Sequence, residues 1–128
     1  MVKEPKHKLT KTYHIIFDAR GCNPKRISDE KFVFKLLMDI PKLVDMKILV
    51  GPNMVRDYDL DNTGITGIAI ISFSHISIHT FDKTGEVFID VFSCKPFDYD
   101  KIRTYLFKAL KVPSENVQTQ EIKYPWER

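Results

Sequence analysis

One short stretch of the chain, Ser74-His75-Ile76-Ser77-Ile78-His79-Thr80, crowds serine hydroxyls and two imidazoles together, with the thiol of Cys94 a hairpin away. Such groups can ligate a metal, pair a nucleophile with a base, or move protons. Spacing decides among these. On an extended strand the Cα atoms of His75 and His79 lie ~13 Å apart, at roughly 3.3 Å per residue, so one ion does not readily bridge them. No other Cys/His spacing rescues a zinc site, and no metal is expected. A Ser-His hydrolase lacks its Gly-x-Ser-x-Gly elbow, and nothing identifies an acidic third member. Taken singly, each of these residues is more often structural: a histidine satisfied by backbone, a small strand serine, a cysteine filling core.

The elements that must position these groups follow from periodicity and from chain breakers. Tyr13, Ile15, Ile16 and Phe17 predict a strand over Lys11 to Ala19, closed by the turn Arg20-Gly21-Cys22-Asn23-Pro24. Ser28 is placed to cap a helix whose apolar positions are Phe32, Val33, Leu36, Leu37 and Ile40, with Asp29 and Glu30 at its positive end and Pro41 ending or kinking it. Lys47 to Val50 predicts a strand, Asp57 to Thr63 a polar connection, and Ile65 to Ser72 a buried strand. His75 to Phe81 and Glu86 to Cys94 follow as a hairpin joined by Asp82-Lys83-Thr84-Gly85. A second helix over Asp98 to Lys111 carries Ile102, Leu106 and Leu110, stops before Pro113, and leads to a last strand over Val117 to Tyr124. The order β-α-β-β-β-β-α-β is α+β: an antiparallel sheet with two helices on one face. Yet the strands are apolar on both faces, since Val87, Ile89 and Val91 alternate with Phe88 and Phe92, and Ile68 and Ile70 with Ala69 and Ile71. A second copy, sheet against sheet, is the economical cover, which predicts an αββα homodimer.

Composition bounds the function classes. At 128 residues, 43% hydrophobic and 29% charged, the chain has the balance of one soluble domain spanning 1–128. Ile65 to Phe73, the longest nearly apolar stretch, is far too short to span a bilayer, and the lysines Lys3, Lys6, Lys8 and Lys11 lead into no signal-peptide core. A net charge of +3 from mixed acids and bases gives no phosphate-gripping stripe, so neither nucleic acid nor membrane is an expected partner. Cys22 and Cys94 are the only cysteines, which fits free thiols in a reducing, cytoplasmic setting.

Order and spacing of the whole set carry more than any single residue. Gly64-Ile65-Thr66-Gly67, then Ser74-His75-Ile76-Ser77-Ile78-His79-Thr80, then Asp90-Val91-Phe92-Ser93-Cys94 resembles the core of the prokaryotic S-adenosylmethionine decarboxylase family. The pattern there looks like Gly-Val-Ser-Gly, Glu-Ser-His-x-(Ser/Thr)-Ile-His-Thr-Trp-Pro-Glu and Asp-(Val/Leu)-Phe-Thr-Cys. The opening His14-Ile15-Ile16-Phe17-Asp18-Ala19-Arg20-Gly21-Cys22 also resembles the family's His-x3-Asp-x2-Gly-Cys segment. The resemblance runs collinearly from about Tyr13 to Leu110.

That resemblance implies a proenzyme that cuts itself between Phe73 and Ser74 into residues 1–73 (β) and 74–128 (α). Ser74 would become a covalent pyruvoyl group, which forms a Schiff base with a substrate amine and replaces pyridoxal phosphate. It implies that His79 assists processing, that the Thr66 hydroxyl supports the cyclic intermediate, and that Cys94 protonates the product carbanion as general acid. The reaction implied is decarboxylation of S-adenosylmethionine, which supplies aminopropyl groups for spermidine synthesis. Phe81, Lys83 and Tyr58 fall where relatives hold the nucleoside. Here the sequence departs from the pattern: Phe73 replaces the usual glutamate, and Phe81-Asp82-Lys83 replaces Trp-Pro-Glu, losing an acid that accepts ribose hydrogen bonds. Two alternatives therefore stay open, the same chemistry on arginine or ornithine, and an unprocessed homologue that only binds. Cys22 is read as structural.

Overall fold

The computed structural model of the chain describes residues 7–59 and 61–126. Lys3 and Lys6 of the basic N-terminal run, and Leu60 of the polar connection, lie outside the described residues. The elements are β1 (Tyr13–Ala19), α1 (Pro24–Ile27), α2 (Glu30–Leu43), β2 (Ile48–Asp57), β3 (Gly64–Ile71), β4 (Ser74–Phe81), β5 (Glu86–Ser93), α3 (Tyr99–Leu110) and β6 (Val117–Glu121), with a single 3₁₀ turn over Ser114–Asn116. The strands form one antiparallel sheet in the order β2-β3-β4-β5-β1-β6. The α+β class holds, with one helix more than the pattern predicts.

That extra helix is the single turn α1, and it changes how α2 begins. Pro24 sits at the first helical position, where its missing N–H costs nothing, and the Asn23 side chain caps the turn by accepting from Lys25 N–H. Ser28 is consumed as the end of α1, so the cap of α2 is Asp29, accepting from Lys31 N–H at 2.9 Å, and not Ser28 as expected. Pro41 lies inside the last turn of α2, and the helix runs two residues past it to Leu43. Two strand ends also differ from expectation. β2 continues beyond Val50 to Asp57, with register shifts against β3 between Ile48 and Asn53. β6 stops at Glu121, short of the expected Tyr124, although the Ile122 N–H still reaches the His14 carbonyl of β1 at 2.8 Å.

Period-2 alternation assigns the faces. Ile15, Phe17, Ile65, Ile71, Ile76, Ile78, Val87, Ile89 and Val91 are buried toward α2 and α3, where Val33, Leu36, Leu37, Ile40, Ile102, Leu106 and Leu110 meet them. The Phe17 and Phe107 rings close that layer edge to face at 5.5 Å. The opposite face carries no helix. Ile68, Ile70 and Val55 remain 44%, 46% and 66% exposed there.

Two glycines of the Gly64-Ile65-Thr66-Gly67 segment are explained by packing. A Cβ on Gly64 would run into the backbone carbonyl of Thr80 on β4, and one on Gly67 would lie 2.7 Å from Leu37 Cδ1 of α2. The first obstacle is rigid, the second is the end of a flexible side chain. Gly64→Ala is therefore expected to destabilise the chain by at least about 2 kcal/mol in urea unfolding, and Gly67→Ala by about 1 kcal/mol. Equal costs for the two would contradict this assignment of the contacts.

Candidate active site

The Phe73–Ser74 bond lies in the two-residue turn between β3 and β4, where Ile71 pairs with Ser74 and only Ser72 and Phe73 cross over. So tight a reversal needs a left-handed residue, and Phe73 supplies it at φ +54°. For a residue with a Cβ that conformation costs on the order of 1–2 kcal/mol. The Phe73 carbonyl accepts the Cys94 N–H at 3.0 Å, and the ammonium of Lys95 stands 4.8 Å from the centroid of the exposed Phe73 ring.

Ser74 opens β4 with its side chain on the helix-covered face, only 8% exposed. Three acceptors surround its single proton: Ser93 Oγ at 2.6 Å, Ser72 O at 2.8 Å and Met46 Sδ at 3.1 Å. Ser93 Oγ in turn accepts the Lys95 N–H at 2.8 Å. Ser74, the Phe73 carbonyl and the Cys94 N–H are thus one assembly.

Thr66 and His79 form a second one. They are cross-strand partners, with Thr66 Oγ1 3.0 Å from His79 Nδ1, and both point from the uncovered face. His79 follows Ser74 by five residues on one strand, which sets the two roughly 17 Å apart on opposite faces. A single protomer therefore does not bring the Thr66–His79 pair to Ser74. Phe81, packed edge to face on Phe88 at 5.6 Å, Lys83 in the following turn, and Tyr58 beyond the end of β2 lie at the His79 end of the strand as well.

Sequence reasoning missed a polar cluster on the uncovered face. The carboxylate of Asp90 accepts the Ser77 hydroxyl and stands 3.3 Å from His14 Nε2 and 3.7 Å from His75 Nε2. The His14 contact has ion-pair distance without hydrogen-bond alignment, while His14 Nδ1 is 2.9 Å from the Tyr124 hydroxyl. Burial first, then electrostatic interaction with Asp90 and Cys94, push the Tyr124 phenol above its ordinary value. Ring stacking of His75 on Phe92 at 5.1 Å completes the cluster. Its signal was present: His14, Ser77 and Asp90 share a face once Ser77↔Asp90 and Ile16↔Asp90 fix the register. Ser93 was equally legible as the one polar residue at an inward position of β5. Among the described residues no group of three or more His, Cys, Asp or Glu is arranged to hold a metal ion, and no helix is long and apolar enough to cross a membrane.

The two thiols differ. Cys22 is 3% exposed, and burial pushes its pKa up to about 11, whereas Cys94 is half-buried at the end of β5. Thiolate is the reactive form, so at pH 8 the folded chain should react with Ellman's reagent at one thiol. Cys94→Ala is expected to remove the fast phase and Cys22→Ser to leave it. A fast phase that survives Cys94→Ala would reverse the order of reactivity.

The model of the S-adenosylmethionine decarboxylase family matches residues 13–123, a span that reaches past α3 into the region after β6. An S-adenosylmethionine decarboxylase proenzyme of Clostridium botulinum (strain Langeland) is 34% identical over 99 residues, which is 77% of this chain and 82% of that protein. The proenzyme of the same name from Pyrococcus furiosus is 26% identical over 106 residues, 82% of this chain and 73% of its own length. That from Methanococcus maripaludis is 35% identical over 81 residues, 63% of each. With the matched span taking in both assemblies around Ser74 and His79, the chain belongs to the S-adenosylmethionine decarboxylase family.

Proposed function

We propose that this chain is a proenzyme that cleaves itself between Phe73 and Ser74 and then decarboxylates S-adenosylmethionine. The observation that carries the reading is the Phe73–Ser74 peptide itself: a left-handed residue, a carbonyl held by the Cys94 N–H, and a buried hydroxyl beside it. An N–H donor on the scissile carbonyl stabilises the negative charge that develops when the Ser74 hydroxyl adds to it. Relief of the left-handed turn adds to the driving force. In that step the Ser74 Oγ–carbon bond forms, the peptide C–N bond breaks, and the proton leaving Oγ ends on the Ser74 nitrogen. Loss of the Ser74 Cα proton and departure of the Phe73 carboxylate from Cβ then leave dehydroalanine, which takes a proton back at Cβ to become an imine that water hydrolyses to the ketone and ammonia.

The residues present fit a pyruvoyl group derived from Ser74, because a buried strand start with backbone and hydroxyl partners fixes such a group without any metal or phosphate anchor. Bound there, it supplies an electron sink for loss of CO2 from an α-amino acid. Cys94, whose N–H already contacts the same turn, holds the proton returned to the substrate carbon. Phe81 and Tyr58 offer aromatic surface to the base or sulfonium, and Lys83 takes the place of the ribose-binding acid. Names of relatives from three organisms favour S-adenosylmethionine over arginine or ornithine, and polyamine synthesis as the use of the product.

The enzyme acts as a homodimer through the uncovered sheet face, in an αββα arrangement. Exposed Ile68, Ile70 and Val55 support it, and so does the separation of the Thr66–His79 pair from Ser74. A two-fold axis across that face sets the His79 end of one sheet against the Phe73–Ser74 turn at the end of the other, so Thr66 and His79 of the partner subunit approach that turn from the uncovered side while the Ser74 hydroxyl stays on the covered side.

Purified wild type is expected to run as two fragments, residues 1–73 and 74–128, with Ser74→Ala whole and inactive. The processed protein should release CO2 from S-adenosylmethionine and not from arginine or ornithine. A wild type that stays one chain after long incubation would sink the reading in favour of a binding role. The dimer is tested by co-expressing Ser74→Ala with His79→Ala. Each variant alone should remain uncleaved, and in the mixture the His79→Ala chain should be cut, because its Phe73–Ser74 turn meets the His79 of the other chain. An uncut mixture that forms mixed dimers would place both groups in one protomer.

A further inference from the structure

Every inward position of β5 but one is apolar: Val87, Ile89 and Val91 fill the core, and the fourth is Ser93, fully buried at 0% exposure. A buried hydroxyl must be satisfied, and this one is satisfied by the reacting group. Ser93 lies directly across the ladder from Ser74, and the two Oγ atoms are 2.6 Å apart. The Lys95 N–H takes one lone pair of Ser93 Oγ at 2.8 Å and the Ser74 hydroxyl takes the other, while the Ser93 proton has only the distant Met46 Sδ at 3.8 Å and is held weakly enough to be given up. We infer that Ser93 is a catalytic residue of the self-cleavage step, holding the Ser74 hydroxyl in the conformation that adds to the Phe73 carbonyl.

The inference rests on the self-cleavage reading and names a group that reading leaves out. Without Ser93, the Ser74 proton has only the Ser72 carbonyl and the weakly accepting Met46 sulfur as partners, neither of which can give a proton back. Ser93 can do both. As the Ser74 oxygen bonds to the carbonyl carbon, its proton passes to Ser93 Oγ while Ser93 releases its own toward the departing nitrogen, so Ser93 ends unchanged. The proton count balances with no added reactant, because the ester is an isomer of the peptide. The same contact also explains why the nucleophile is held on the helix-covered face while the Cys94 N–H holds the carbonyl it attacks.

Ser93→Thr and Ser93→Val have the same shape and differ in the hydroxyl. Chains made by cell-free synthesis are followed on denaturing gels as cleavage proceeds, with far-UV circular dichroism and melting as controls on folding. Ser93→Thr is expected within about threefold of the wild-type rate and Ser93→Val at least about tenfold slower, the loss of roughly one good hydrogen bond to a reacting group. Ser93→Ala, which only removes atoms, serves as a second hydroxyl-free variant should valine disturb packing. A folded valine or alanine variant that keeps the wild-type rate, or a threonine variant as slow as valine, overturns the role of Ser93 and leaves self-cleavage standing. A wild type that never cleaves overturns the self-cleavage reading and this inference with it.

Discussion

The pairing of β4 with β3 on one side and β5 on the other sets nearly everything at the Phe73–Ser74 bond. With Ile71 opposite Ser74, the chain has two residues in which to reverse, and one of them must turn left-handed. With Ser74 opposite Ser93, Cys94 just after β5 presents its N–H to the Phe73 carbonyl and Ser93 presents its hydroxyl oxygen to the Ser74 hydroxyl. Strain, carbonyl donor and hydroxyl partner thus come from one register. A slip of one residue would turn Ser74 to the uncovered face and remove both contacts together. Gly64 contributes to holding that register, because only a residue without a Cβ lets the start of β3 approach the Thr80 carbonyl so closely.

The two faces of the sheet divide the chemistry. The covered face keeps the Ser74 hydroxyl buried and fixed, among Met46, Ser93 and the core. The uncovered face gathers the titratable groups, with Asp90 between His14, His75 and Ser77, and the Thr66–His79 pair further along β4. Asp90 is only partly exposed, with the Ser77 hydroxyl donating to it and the two imidazoles standing beside it. This polar strip beside exposed Ile68 and Ile70 makes the face a mixed surface, apolar toward β2 and polar toward β1.

The sequence made the strands and the two long helices legible because their periodicity is undiluted: β5 alternates over its full length, and α3 buries Ile102, Leu106 and Leu110 at helical spacing. Asp29, not Ser28, caps α2 because a one-turn helix intervenes, and four residues are too few for any period to register. β2 runs on through Gly51-Pro52 to Asp57, past the Val50 end expected of it. At the site, motif order singled out Ser74, His79, Thr66 and Cys94 as candidates, but residue types alone carry no information on faces across strands. The separation of His79 from Ser74 follows only from counting parity along β4, and the Ser74–Ser93 contact only from the β4/β5 register.

Phe73 is the instructive departure from the family pattern. Its ring is 69% exposed and leans toward Lys95, so the side chain touches neither the Ser74 hydroxyl nor the atoms that hold it. What the position contributes to the turn is a left-handed φ and a carbonyl, and both belong to the backbone. Any residue able to sit in that turn can supply them, at the cost of the same strain. Phenylalanine in place of glutamate there removes a charge from the rim of the site, while the groups that fix the peptide bond are backbone atoms. The constraint on this stretch therefore falls on the residues that hold the peptide, Ser93 and the Cys94 N–H, rather than on the side chain that precedes the serine.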